Sequence, residues 1–419
     1  MESVPVTDIQ FSEKSEIRDG ILYLNKNELL KLVADDEFFR EVRIAIARPG
    51  EETRIINVVD VIEPRCKVEG EVDFPGVLGD IKMAGEGITR ALKGVAVVLC
   101  DRHKHWIHSK SIIDMSGPGA ELGRYGKMPL LILDPTHKGE PDDWALALAL
   151  RKAAFRLSNY IAGIASEEQF HKREIYDISH RDSNLPTVAY YYQLYSSQHD
   201  SKGVPDPVYY GIPISTTLPL VVNPTEVIDG AVTSGYTIRM METYSIQNHP
   251  IITELLQRHG KDLNFGGVVM GVCSMEPVRR SLGAMMIGSI MKNVIKADGV
   301  IMTKVLGGAP NVDLGAAASE CEERGIKTTL LLQILNTQAS LDSEVLFNDQ
   351  RINAIINTGI IFERQNLPVF ATLHGGTADT PVFNDTIRQK AGEPLEVEMR
   401  FICGSLNQLG ASRLAAVEY

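Results

Sequence analysis

The chain is short of several things, and each absence excludes something. It has no CxxC pair: its five cysteines, Cys66, Cys100, Cys273, Cys321 and Cys403, lie far apart in 419 residues. That spacing argues against a disulfide framework and suits reduced, buried thiols in the cytoplasm. No apolar run is long enough to span a bilayer. The opening MESVPVTDIQFSEKSE lacks a basic segment followed by an apolar core, so it does not read as a signal peptide. Basic residues are outnumbered, 42 Lys and Arg against 54 Asp and Glu, for a net charge of -12. This argues against nucleic acid or an anionic membrane as main partner. The Walker and Rossmann glycine spacings and HExxH are also missing.

What remains is ordinary for a globular protein: 44% apolar and 23% charged residues. The length allows about two or three domains with a large core. The expected fold class is α/β, a β-rich N-terminal domain followed by a parallel βαβ sheet domain. The expected divisions are a β-rich domain over 1–130, a helix and connecting segment over 131–250, and an open α/β sheet over 251–419.

In the first half, Asn25 is positioned to cap a helix carrying Leu29, Leu30, Leu32 and Val33. REVRIAIARPG and RIINVVDVIEPR flank a Pro-Gly turn and read as a hairpin. KGVAVVLCD is apolar on both faces, as an interior strand should be. Just past it stand Cys100, His103, His105 and His108. Imidazoles with a thiolate are the usual ligands of zinc or iron, and a polar hydrogen-bonding loop is the alternative. Ser116 and Gly117 open SGPGA, a tight turn where backbone or ligand can approach closely. DDWALALALRKAAFRLSNYIAGIA is a helix with acids in its first turn and an almost continuous apolar face.

The second half alternates helix and strand from residue 250 to 335, which implies parallel strands with right-handed crossovers. On such sheets ligands bind beyond the carboxyl ends of the strands. Lys304, Gly307, Gly308 and Asn311 lie at one such end. There, backbone N–H groups with Lys304 as counter-charge would suit a carboxylate or phosphate. His374-Gly375-Gly376 ends another strand, as a site histidine or a hydrogen-bonded loop residue.

Between the halves lies NPTEVIDGAVTSGYTIRMMETYSIQNHP, residues 223–250, a segment placed to line a cleft. With GILYLNKNELL, ARPGE, DVIEPRCKVEG, FPGVLG, LKGVAVV, IIDMSGPGA, RHGKDLNF, GIKT and LEVEM, in that order, the chain resembles the precursor of the alpha and beta subunits of component B in glycine, sarcosine and betaine reductases. The resemblance implies internal cleavage just after the PTEVxDGA segment, at a cysteine that becomes a pyruvoyl group. It implies a Schiff base between that carbonyl and the substrate amine, and attack on the neighbouring carbon by a selenol or thiol of a partner subunit.

Here the chain departs from the family. No cysteine stands between Asp229 and Pro250. Ser234, Thr237, Thr243 and Ser245 are the hydroxyls left there, while Thr243-Tyr244 and Asn248 to Pro250 keep the flanking pattern. By the resemblance, the family's loop at 100–110 lacks the histidine cluster found here. The expectation is an uncleaved chain without pyruvoyl, with Thr243, Tyr244 and the histidines as catalytic candidates and a Zn or Fe ion on Cys100, His103, His105 and His108. It would be an oxidoreductase subunit that binds a small polar amine for reductive C–N cleavage. It would work with a component-B-like thiol or selenol subunit in a homo- or hetero-oligomer. The alternatives are a non-catalytic scaffold of such a complex and a stand-alone metal-dependent lyase or hydrolase using the histidine loop.

Overall fold

A computed structural model describes residues 1–34, 37–102, 110–166, 169–196, 206–215, 217–236, 241–304, 307–335, 341–384 and 387–411. Helix α1 spans Lys26–Ala34, and the Asn25 carboxamide caps it by accepting from Asn27 N at 3.0 Å. The first sheet takes five of the strands that follow: β1 (Phe39–Ala47), β2 (Thr53–Ile62), β3 (Ala96–Cys100), β4 (Ser111–Asp114) and β5 (Leu130–His137). They form one sheet in the order β4-β2-β3-β5-β1. β3 is buried throughout and lies between β2 and β5, as its two apolar faces require.

The expected hairpin of β1 and β2 does not form. β1 pairs with β5, and β2 pairs with β3 and β4. The alternation in β1 is that of an edge strand, whereas nine of the ten residues of β2 are buried. A strand apolar on both faces gains more in the sheet interior than against an edge. The Pro49-Gly50 turn therefore leads a crossover, anchored where Gly50 N donates to Met115 O at 2.7 Å.

Helix α2 (Asp143–Gly163) covers one face of this sheet. Asp142 caps it through Trp144 N and Ala145 N. Leu146, Leu150, Phe155, Leu157 and Ile161 are fully buried, each worth about 2 kcal/mol. Arg151 is buried among them.

The second sheet takes its central strand from before the junction. This is β6 (Thr187–Leu194), which carries three consecutive tyrosines. Tyr190 and Tyr192 pack on one face and Tyr191 on the other. The short strand β7 (Leu220–Val222) forms an antiparallel edge. Helices α3 (Pro224–Ile228) and α4 (Thr243–Gln247) lie in the junction, and α5 (Pro250–Arg258) begins at its end. Then β8 (Asn264–Val272), α6 (Pro277–Ser289), β9 (Gly299–Thr303), α7 (Ala309–Glu323), β10 (Lys327–Ile334) and β11 (Ala354–Ile360) alternate.

The sheet order is β7-β8-β6-β9-β10-β11, with every pair after β7 parallel. Counted along the chain, its parallel strands lie in the order 2-1-3-4-5, the doubly wound arrangement. The helix begun at Pro277 ends in a π turn over Ile290–Ile295. LEVEMRFICGSLNQLG is not one strand: Leu395–Glu398 is extended, a tight helical turn covers Met399–Phe401, and a small hairpin follows. Residues Thr372–His374 return to the first sheet and pair with β2 in parallel. No helix among the described residues is long and apolar enough to cross a membrane.

Candidate functional site

The junction folds as a bolt between the two sheets. It starts with a capping box at Asn223 and Glu226. The Glu226 carboxylate also accepts from the hydroxyls of Tyr209 and Tyr210, at 2.9 and 2.8 Å. Asp229 is paired with Lys67 and accepts from Gly85 N at 2.8 Å and Thr89 Oγ1 at 2.6 Å. At Gly235 a Cβ would lie 1.9 Å from Pro207 N, so only glycine permits this approach of two backbones.

The residues after Gly235 reach into both sheets. Asp60 of β2 accepts from Thr243 N and from Thr243 Oγ1, both at 2.8 Å. Thr243 Oγ1 in turn accepts from Ser234 N at 3.1 Å. Gln247 and Asn248 dock just past the end of β2, on Glu63, Arg65 and Lys93. Glu63 N donates to Gln247 Oε1 at 3.0 Å, Arg65 Nη2 to Gln247 O at 3.0 Å, and Lys93 Nζ to Asn248 Oδ1 at 3.0 Å. His249 turns the other way, against Tyr190 and Tyr192 of β6, with its Nε2 3.1 Å from Tyr190 Oη. Burial pushes His249 down to about 3, so the imidazole is neutral.

Around Thr243 the polar groups converge. Asp60, Ser234, Glu242, Thr243, Ser245, Arg151, Tyr125 and Cys403 are all buried. Arg151 spends its hydrogen bonds on carbonyls, Ser234 O at 2.9 Å and Asp206 O at 3.1 Å, and stacks over the Tyr236 ring at 4.8 Å. Its Nη1 has no hydrogen-bond partner among the described residues. Glu242 accepts from Cys403 Sγ at 3.2 Å and from Ser245 Oγ at 3.1 Å. Among the described residues Asp60 forms no ion pair. Burial raises its carboxyl to about 7, against the opposing pull of the Thr243 hydrogen bonds. Burial, with Glu242 alongside, pushes the Cys403 thiol well up. The arrangement has two buried acids, Asp60 and Glu242, of which burial raises the first, and one guanidinium committed to carbonyls.

The sequence candidates separate in space. Thr243 is at the centre of this cluster. Tyr244 packs beside it, edge-on to Tyr125 at 5.4 Å. His103, His105, His108 and Thr237 lie outside the described residues. Of the residues flanking the histidine loop, Asp101 acts electrostatically on Tyr236 of the junction, and Ser111 is hydrogen-bonded to Cys403 of the cluster. Cys100 is buried and its thiol pushed well up. Among the described residues no group of three or more His, Cys, Asp or Glu is arranged to hold a metal.

Ser116 and Gly117 begin a six-residue helix on the first sheet. Its Gly119 lies where a Cβ would be 2.8 Å from Asp114 Oδ2, over the buried Arg54–Asp114 pair. Lys304, Gly307, Gly308 and Asn311 are at the other end of the molecule's chemistry, at the carboxyl end of β9 and the start of α7. Lys304 Nζ donates to Gln333 O at 3.1 Å and to Glu344 Oε2 at 3.2 Å, and Asn311 Nδ2 donates to the same oxygen at 2.8 Å. Glu344 Oε1 accepts from Leu335 N at 2.7 Å. Burial lowers Lys304 to about 8; against burial, the hydrogen bonds from Asn311 and Leu335 N, with Lys304 alongside, hold Glu344 low. Gly308 caps α7 with φ 76, which explains the glycine.

Asp60, Arg151, Glu242 and Cys403 were not among the sequence candidates. Asp60 did leave a signal: it is the one acid within the apolar run of β2.

The whole chain, residues 1–417, matches the family described as glycine/sarcosine/betaine reductase component B subunits. It is 31% identical to the glycine reductase complex component B subunits alpha and beta of Acetoanaerobium sticklandii, over 99% of this chain and 98% of that one. It is 32% identical to the sarcosine reductase complex component B subunit alpha of Peptoclostridium acidaminophilum, over 78% of this chain and 77% of that one. The betaine reductase complex component B subunit alpha of the same organism is 31% identical, over 88% and 86%. No solved structure matches. On this whole-length agreement, the chain belongs to the glycine/sarcosine/betaine reductase component B subunit family.

Proposed function

We propose that this protein is an uncleaved subunit of a reductase complex and binds a small amine at the junction, beside Asp60. The observation that carries this reading is the charge balance there. Asp60 is fully buried, and the nearest guanidinium, Arg151, is turned to carbonyls. An ammonium ion supplies the missing counter-charge and draws Asp60 into its ionised form. A nitrogen held protonated departs as a neutral amine. A thiolate or selenolate of the partner subunit attacks the neighbouring carbon, its new bond forms as the C–N bond breaks, and the bonding pair stays on nitrogen.

A pyruvoyl group does not fit the described part of this segment, so no step is routed through one. The cysteine implied by the resemblance is missing, and the Thr243 hydroxyl is held between Asp60 and Ser234 N. Ser245 Oγ is likewise engaged with Glu242. For the partner, we infer a docking face on α6. Val278, Leu282 and Met285 recur there at helical spacing and are 74%, 40% and 48% exposed.

The test is calorimetric titration of glycine, sarcosine and betaine into the intact chain and into Asp60→Asn, with intact mass spectrometry of the same sample. The expected result is one full-length mass and amine binding weakened about tenfold or more in the variant. Equal binding by both proteins removes Asp60 from the site. Two fragments, one with a keto-acyl end, overturn the uncleaved reading.

A further inference from the structure

Five of the fifteen large apolar side chains that stand exposed among the described residues share one surface: Leu218, Val221, Val278, Leu282 and Met285. The second sheet explains why they meet. Leu220 and Val222 of β7 pack into one layer of the core, so Val221 points to the other. Its cross-strand partner Val269 packs in that other layer with Ile287 of α6. A groove runs between α6 and the Leu218–Val221 segment. It is lined by Tyr191, Leu218, Pro219, Val272 and Gly283, around a cavity of about 40 Å³. That is room for the tip of one side chain and too little for a free substrate.

Gly283 lies in the middle of α6, where glycine costs a helix about 1 kcal/mol relative to alanine. Gly288 of the same helix has a reason within the chain, since a Cβ there would lie 2.9 Å from Glu320 Cβ of α7. Gly283 has no such reason among the described residues: a Cβ there meets only Pro219 Cγ, at 4.0 Å. Its bare backbone admits a neighbour from outside. The charge around it is also incomplete. Arg280 is committed to Asp313 and to Ser274 O. Glu276 is spent on the first amides of α6, those of Val278 and Arg279. Arg279 is exposed, and its guanidinium makes no hydrogen bond or ion pair among the described residues.

We propose that an amphipathic helix of the partner subunit lies in this groove, with an apolar side chain over Gly283 and an acid on Arg279. This rests on the docking face read above for α6 and names what docks there. The five side chains leave on the order of 500 Å² of apolar surface bare, the upper end for a monomer. A standard interface buries roughly 800 Å² on each partner, so they form its greater part. A strand does not fit, because β7 is three residues long and follows Pro219, which blunts the edge. A second copy of this chain brings another Arg279 and no uncommitted acid from this surface, and leaves both guanidiniums unmet. An acid-bearing helix satisfies the stripe, the glycine and the arginine together.

The experiment isolates the full chain with its complex and measures the affinity of the purified partner subunit for wild type and variants. Gly283→Leu fills the groove and is expected to weaken the partner about tenfold or more, with the melting temperature of the free chain unchanged or higher. Arg279→Glu is expected to weaken it about tenfold and to flatten its salt dependence. Cross-linking from Gly283→Cys is expected to mark partner residues three or four apart; marks at every second residue overturn the helix. Val278→Glu tests the docking face itself. Binding untouched by Val278→Glu, or a chain that isolates with no partner, overturns the docking reading and this proposal with it. Loss with Val278→Glu, but full binding by Gly283→Leu or by Arg279→Glu, keeps the face and overturns the helix in the groove. A homodimer in sedimentation that Gly283→Leu splits gives the groove to a second copy and overturns the proposal too.

Discussion

The Asp60 cluster and the Lys304 clamp make an instructive pair. Both are buried, and in both burial drives an ionisable side chain toward its neutral form. They differ in compensation. Lys304 has a carboxylate partner, and every oxygen of that carboxylate is used, by Lys304, Asn311 and Leu335 N. Asp60 has neutral donors alone, Thr243 N and Oγ1 and Val61 N, while the neighbouring arginine serves carbonyls. A satisfied buried ion pair holds loops in place. A buried acid without a counter-ion retains the capacity to take one up or to trade a proton. Lys304, a sequence candidate for ligand binding, has its ammonium engaged by Gln333 O and Glu344, whereas Asp60 is the carboxyl to which the proposal above assigns the amine.

That contrast can be broken most forcefully at the clamp. Lys304→Met leaves Glu344 charged and buried, and should cost about 3–5 kcal/mol in urea denaturation. Adding Glu344→Gln should recover most of it. If the single change proves neutral, the pair is not the structural element described.

The next effect concerns pH. A carboxyl raised in the fold binds more protons there than in the unfolded chain. Its contribution to stability is therefore full below its unfolded value and is lost as pH rises through about 7. Asp60→Asn removes this dependence. The stability of wild type relative to the variant should fall between pH 4 and pH 8, by up to about 4 kcal/mol. Parallel pH curves for the two proteins would show that Asp60 titrates normally. The smallest expected change is Cys403→Ser, which keeps a donor toward Glu242 and should shift stability by about 1 kcal/mol or less. A larger loss would mean that the thiol's bulk matters more than its hydrogen bond.

Much of the fold was legible because it is local. The cap at Asn25, the acid-led helix after Asp142, the interior character of β3 and the strand–helix alternation after residue 250 follow from nearby residues. Long-range pairing was not. The turn at Pro49-Gly50 suggested a hairpin, but burial on both faces of β2 decided its neighbours. Nor did a strand of three tyrosines announce itself as the centre of the later sheet. The site was half legible. Thr243 stood out through the flanking pattern of its segment. Asp60 lies 183 residues away along the chain, and only folding brings the two to 2.8 Å.

The return of Thr372–His374 to β2, together with the loan of β6 to the later sheet, has a consequence for severed polypeptides. The parts before and after the junction are interlaced rather than tethered. Nicking the backbone near residue 240 should leave both pieces co-eluting on gel filtration, and coexpressing them as separate genes should restore one particle. A family whose members are named as alpha and beta subunits would inherit such tolerance from the weave itself.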